Sequence, residues 1–87
     1  MIVPDVNLLV YAYDDTSPHH VGARRWWTEV LSGDEAVGVP WVVTLAFVRL
    51  LTHPTICTHP LGVSEVRRRV EHWFEQDHVR LLSPGPV

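Results

Sequence analysis

The chain has little cysteine, little positive charge and no long apolar run, and each shortage excludes a class of protein. Cys57 is the only cysteine in 87 residues, which excludes a disulfide scaffold and agrees with a reducing, cytoplasmic compartment. The formal net charge is −3 and the pI about 6.0, so the overall basic field of a dedicated DNA-binding protein is absent. The most apolar stretch, Val37 to Leu51, is shorter than the ~20 residues that cross a bilayer. We therefore expect no membrane association.

What the chain does contain indicates a small folded domain. Hydrophobic residues make up 46% of it and charged residues 20%, and four residues are tryptophan, a composition that disordered segments do not have. Pro4 and Asp5 interrupt the apolar N-terminus, unlike a signal peptide. We interpret residues 1–87 as a single domain.

Hydrophobic spacing and breaker residues predict alternating strands and helices. Strands separated by helices are typical of an α/β fold with a parallel sheet. The expected elements are a strand at Ile2–Val3, a helix from Asn7 as cap and Leu8 to Tyr13, a helix from Ser17 as cap and Pro18 to Gly33, a strand from Ala36 to Val39, a helix from Pro40 to Thr52, a loop from His53 to Leu61, a helix from Val63 to Gln76 and a strand from Val79 to Leu82.

Two of these helices have informative apolar patterns. The third is apolar almost all round, so we expect it to lie centrally rather than at the surface. The fourth is amphipathic, and its predicted buried stripe consists of Val63, Val66, Val70, Trp73 and Phe74.

Asp5 is the candidate functional residue with the clearest context. It follows the first strand and precedes a helix, at the strand end where sites form in parallel sheets. The helix dipole favours negative charge there, and a carboxylate can hold a hard cation such as Mg²⁺. Asn7 would cap the helix and also hydrogen-bond Asp5, fixing its side-chain conformation. On spacing alone, an ordinary acidic residue at a helix start is the favoured alternative.

The opening segment from Ile2 to Ala12 resembles the start of a PIN domain, in particular that of the VapC-type ribonuclease toxins of bacterial toxin–antitoxin pairs. Such chains begin with a hydrophobic strand, an Asp, one spacer, then Asn or Ser and an apolar helix. The likeness continues in order along nearly the whole chain and is similar to a subgroup abundant in mycobacteria and other actinobacteria. It is carried by Ser17-Pro18-His19-His20, Ala23-Arg24-Arg25-Trp26-Trp27, Gly38-Val39-Pro40-Trp41, Ala46-Phe47-Val48-Arg49-Leu50, Thr52-His53-Pro54, Pro60-Leu61 and Leu81-Leu82-Ser83-Pro84-Gly85-Pro86.

The resemblance implies a fold, an activity and partners. The fold would be α/β, a PIN-like parallel sheet with flanking helices, and the activity an endoribonuclease with clustered acids and Mg²⁺ or Mn²⁺. The cation would activate a water and neutralise charge on the scissile phosphate. Asp5 matches the family's first metal-binding aspartate, which makes it the expected catalytic and metal-binding residue, with Asn7 in support. The implied partners are RNA as substrate, a second copy in a homodimer, and a VapB-type antitoxin whose C-terminal segment covers the acidic pocket.

Two departures from the family pattern bear on activity. Phe47 stands where the family usually has a Glu in the third helix, although the subgroup with this pattern lacks that Glu generally. The likeness ends at Pro86, where the family continues with further acids, so we expect a partial, N-terminal PIN-like domain. A lone Asp gives weak metal binding and no geometry for in-line attack, so the 87-residue form should cleave RNA poorly.

Three other groups of residues carry weaker signals. His53, Cys57 and His59 have metal-binding side chains, but their spacing matches no common zinc pattern. Arg67-Arg68-Arg69 is the densest basic run, and it indicates a solvated helix face or, as the sharper alternative, a contact with RNA phosphates. Arg49 lies on an otherwise apolar helix, so we expect it to be buried, either paired with an acid or reaching a pocket rim or an RNA phosphate.

Three functional hypotheses follow. The first is a Mg²⁺-dependent, VapC-like endoribonuclease toxin held in check by an antitoxin. The second is an inactive PIN remnant that acts only as a dimerisation or antitoxin-binding module. The third is an unrelated α/β domain that binds nucleic acid through its basic run, and the negative net charge argues against it.

Overall fold

The computed structural model describes residues 1–53 and 60–83, which contain four helices around a small parallel sheet. The elements in chain order are α1 (Val6–Tyr13), α2 (His20–Ser32), β1 (Val37–Pro40), α3 (Trp41–Thr52), α4 (Val63–Glu75) and β2 (Val79–Leu82). β1 and β2 run parallel, with Val37 opposite Val79 and Pro40 opposite Leu82. This arrangement confirms the predicted mixed α/β fold with a parallel sheet.

β1 is the central strand, because its backbone forms hydrogen bonds with the Ile2 segment on one side and with the β2 side of the sheet on the other. The Val37 amide donates to the His78 carbonyl at 2.8 Å, and the Gly38 amide donates to the Ile2 carbonyl at 2.8 Å. The predicted strand at Ile2–Val3 is reduced to a single parallel bridge between Ile2 and Val37. Pro4 follows at once and has no amide with which to continue the ladder, which accounts for the shortening.

The predicted helix starts are less accurate than the predicted ends. α2 ends before Gly33 as expected, but it begins at His20 rather than Pro18. The Ser17 hydroxyl accepts the His19 amide at 3.1 Å, so Ser17 closes a turn ahead of the helix and is not its cap. α1 begins at Val6, two residues before Leu8. The bounds of α3, α4 and β2 agree with the sequence to within one residue.

The core is centred on an aromatic cluster of Tyr13, Trp27, Phe47 and Trp73, contributed by all four helices. Trp73 is fully buried, with its ring 4.6 Å from that of Phe47 and 5.5 Å from that of Trp27. The Tyr13 hydroxyl accepts both indole N–H groups, from Trp73 at 2.7 Å and from Trp27 at 3.2 Å. One hydroxyl therefore satisfies two polar groups that burial would otherwise leave unpaired.

The structure corrects two expectations about burial. Val63, predicted to begin the buried stripe of α4, is 67% exposed and lies in the first turn of that helix. α3 is not enclosed: Phe47 and Leu51 are buried, but Trp41, Val42, Leu45 and Arg49 are exposed. These four residues recur at helical spacing and are called the outer face of α3 below.

Among the described residues, no helix combines the length and the hydropathy that crossing a membrane requires. The predicted loop from His53 to Leu61 lies mostly outside the described residues, which resume at Pro60.

Candidate functional site

Asp5 lies where the first bridged segment of the sheet ends and α1 begins. It is the N-cap residue of α1, with extended backbone angles, and its carbonyl accepts the Leu9 amide at 3.2 Å. Its side chain makes no capping hydrogen bond and is exposed. The backbone of Asp5 is thus held by the start of the helix, while its carboxylate is exposed to solvent and accessible to a cation.

Asn7 does not cap α1, which corrects the sequence-based expectation. The helix begins at Val6, so Asp5 takes the cap position and Asn7 becomes the second residue of the helix, with an exposed side chain. Within residues 1–53 and 60–83, no hydrogen bond joins Asn7 to Asp5. The supporting role of Asn7 therefore stays a prediction.

Four other acids, next to the strands or at the end of α1, lie away from Asp5. All strands are parallel, so the residues that follow them meet at one side of the sheet, which we call the carboxyl edge. Asp34 and Glu35 precede β1 and Asp77 precedes β2, which places all three at the opposite side. Asp14 is the C-cap of α1, about 13 Å along the helix at 1.5 Å per residue. Among these five acids, Asp5 is the one that lies at the carboxyl edge.

Phe47 occupies a core position rather than a site position. Its side chain is fully buried, 5.3 Å from the Tyr13 ring and 4.6 Å from the Trp73 ring by centroid. An ionised carboxylate in that place would lose its hydration without gaining a charged partner. Phe47, at the position where the resemblance leads us to expect a Glu, is therefore part of the core of this chain.

Arg49 is not buried, contrary to expectation. It lies in the last turn of α3 with an exposed side chain, and no ion pair reaches it from residues 1–53 or 60–83. A cation in the last turn of a helix is favoured by the helix dipole, and an exposed guanidinium needs no buried partner. The exposed guanidinium of Arg49 is accessible to a ligand such as an RNA phosphate.

Of the three metal-binding side chains noted between His53 and His59, Cys57 and His59 lie outside the described residues. In the described ranges, no three His, Cys, Asp or Glu side chains come together in a way that could hold a metal ion. Asp5 alone does not make a magnesium site, since Mg²⁺ needs octahedral coordination from further ligands. What the carboxyl edge offers is one ligand, without the geometry for a reaction.

Sequence reasoning missed a cavity of about 270 Å³ between α2 and α4, at the far end of α1 from Asp5. Arg24 on α2 and Arg68 on α4 line it, together with Arg69 and His72. The arginines are visible in the sequence, but nothing in their spacing shows that the two helices face each other across a gap.

An α/β chain with a parallel sheet and one acid at its carboxyl edge agrees with the fold that the resemblance implies. No protein-family model matches the chain. Ribonuclease VapC33 of Mycobacterium tuberculosis is 34% identical over 86 residues, which is 99% of this chain and 60% of that protein. Ribonuclease VapC37 of the same species is 38% identical over 84 residues, covering 97% of this chain and 58% of the relative. Ribonuclease VapC48, also of Mycobacterium tuberculosis, is 34% identical over 79 residues, covering 91% of this chain and 54% of the relative.

These matches show that the chain belongs to the VapC-type family, as a partial, N-terminal region of it. The chain spans between 54% and 60% of the length of these curated relatives.

Proposed function

We propose that the chain is part of a VapC-type endoribonuclease toxin that uses Mg²⁺ or Mn²⁺, with Asp5 as one metal ligand. The position of Asp5 carries the proposal: an exposed carboxylate at the carboxyl edge, next to the N-terminus of α1. The names of the relatives support it, since the matched proteins are called ribonucleases. Arg49, also exposed, is available to a phosphate of the RNA.

The same geometry limits what the 87 residues do alone. Mg²⁺ is commonly bound through one or two carboxylates, with waters and substrate phosphates completing the shell. One exposed carboxylate neither holds the ion tightly nor orients an attacking water in line with a leaving oxygen. We therefore expect the 87-residue chain to cleave RNA weakly or not at all.

The proposed partners are a VapB-type antitoxin and a second copy of the chain, in the cytoplasm. The outer face of α3 supports an associating surface, since Trp41 is 40% exposed, Val42 52% and Leu45 57%. Adjacent exposed apolar side chains of this size favour contact with another protein surface.

A binding module without enzymatic activity is the second candidate. Two observations favour it: the outer face of α3 provides a surface for association, and the described residues form no metal-binding cluster of His, Cys, Asp or Glu. The two candidates differ in one property, namely whether further acids join Asp5 in the protein that the gene encodes.

The test begins with the genomic DNA that follows the codon for Val87. If a reading frame continues there with a further helix that carries acids, the longer protein should cleave total RNA in the presence of Mn²⁺. The Asp5→Ala variant should lose this activity, and Asp34→Ala, at the opposite side of the sheet, should keep it. The 87-residue chain serves as the comparison and should be nearly inactive.

Two results would count against the proposal. A longer protein that binds RNA or antitoxin but never cleaves RNA would leave the binding module as the function. Cleavage that Asp5→Ala does not change would remove Asp5 from the site, whatever the length of the protein.

A further inference from the structure

The cavity between α2 and α4 gathers positive charge in a chain that is negative overall. The formal net charge is −3, with seven basic residues against ten acidic ones. Three of the seven, Arg24, Arg68 and Arg69, line this one cavity, and His72 joins them. None of the lining residues is an Asp or a Glu. The charge of the cavity is therefore opposite to that of the whole molecule.

Two of these arginines have no acidic partner within the described ranges. Arg69 pairs with Glu65 at 3.2 Å, and the neighbouring Arg67, which does not line the cavity, pairs with Glu71 at 2.8 Å. No ion pair reaches Arg24 or Arg68 from residues 1–53 or 60–83. The two come from different helices, so their guanidinium groups can approach one anion from two sides.

The remaining lining groups suit an oxyanion. Thr28 and Ser32 carry hydroxyl donors along α2, on the side that lines the cavity. All seven basic residues of the chain are arginine, the side chain whose planar fork matches two oxygens of a phosphate. A volume of about 270 Å³ leaves room for a phosphate group together with what is attached to it.

We propose that the cavity between α2 and α4 is a phosphate-binding site, with Arg24 and Arg68 as its principal cations. The phosphate belongs either to an RNA strand or to a free anion, and the two sources share the same chemistry. The site is separate from Asp5, which lies at the other end of α1, and it holds a phosphate without a metal ion. It does not rest on the proposed ribonuclease function, since it concerns binding alone.

The experiment uses the 87-residue chain labelled with ¹⁵N and two probes, inorganic phosphate and a ten-nucleotide RNA without a terminal phosphate, at low ionic strength. The test variant is the double substitution Arg24→Gln and Arg68→Gln. The control is Arg25→Gln and Arg67→Gln, which removes the same charge from adjacent positions on the same two helices. Both pairs are exposed, so both variants should fold, and far-ultraviolet circular dichroism checks this.

Phosphate should shift the amide signals of Thr28, Leu31 and His72, and the test variant should bind it about tenfold more weakly. The control variant should change the affinity less than about twofold. If the same variant also weakens RNA binding, an RNA strand is the source of the phosphate. If RNA binding is unchanged in this variant, the ligand is a free anion. No phosphate-dependent shift, or an equal loss in both variants, would overturn the site.

Discussion

The aromatic cluster and the carboxyl edge differ in how far the described residues complete them. In the cluster, Trp73 is fully buried and both indole N–H groups have the Tyr13 hydroxyl as acceptor. At the carboxyl edge, Asp5 is exposed, makes no side-chain capping bond and belongs to no metal-binding cluster of His, Cys, Asp or Glu among the residues described. A buried core can therefore form from contacts within the described residues alone, whereas these residues do not assemble a metal-binding cluster.

The position of Phe47 gives the largest expected effect. Phe47→Glu places a carboxylate among the rings of Tyr13 and Trp73, at a cost of more than about 4 kcal/mol. A domain of this size has a stability of roughly 4–13 kcal/mol, so much of it would be lost. Urea unfolding followed by tryptophan fluorescence measures the change. Phe47→Leu is the control, with an expected cost of about 1–2 kcal/mol, and an unchanged stability of the Glu variant would show that position 47 is not a core position.

Tyr13 tests the polar part of the same cluster. Tyr13→Phe keeps the ring but removes the acceptor of two indole N–H groups, which should lower the free energy of unfolding by about 1–3 kcal/mol. The same unfolding experiment on Tyr11→Phe provides the control, with an expected change within about 0.5 kcal/mol, because no hydrogen bond to its hydroxyl exists in the described residues. Equal effects of the two variants would contradict the bridging role of Tyr13.

The outer face of α3 tests whether the open side of the molecule associates. Leu45→Glu places a charge in the middle of this face and should weaken self-association at least about tenfold, measured by sedimentation or light scattering. Val21→Glu alters an apolar residue on α2 that is somewhat more exposed than Leu45, 69% against 57%, and should leave association unchanged. A stable monomer in the unmodified chain at high concentration would refute an associating surface.

Asp5 should have the smallest effect on stability. Asp5→Asn keeps a residue that caps helices well and removes only a solvent-exposed charge, so we expect a change within about 0.5 kcal/mol by urea unfolding. A loss of several kcal/mol would mean that Asp5 is a structural residue and would remove the contrast between cluster and edge.

The sequence allowed a good prediction of the elements whose signals are local. Pro40 marks the entry to α3, Gly33 the end of α2, and the apolar spacing of α4 places Val66 and Trp73 in the core. The helix starts were harder to predict, because Ser17 can either cap a helix or close a turn, and only the surrounding packing decides.

Burial was predicted less well, because it depends on which elements are neighbours. An apolar helix such as α3 is enclosed only if elements cover all its sides, and here Arg49 and Leu45 face solvent. The candidate site shows the same limit. The place of Asp5 at a strand end follows from the local sequence pattern. That Arg24 and Arg68 line the same cavity depends on how α2 and α4 pack.

We propose that Asp5 binds a divalent cation at the carboxyl edge and that no second acid of this chain joins it there. Mn²⁺ titrated into the ¹⁵N-labelled chain tests it, because the paramagnetic ion broadens the amide signals nearest to it. We expect broadening around Asp5 to Asn7 only at Mn²⁺ concentrations on the order of millimolar, loss of this broadening in Asp5→Asn, and its retention in Asp34→Asn. Broadening that persists in Asp5→Asn, or that saturates at micromolar Mn²⁺, would contradict the claim.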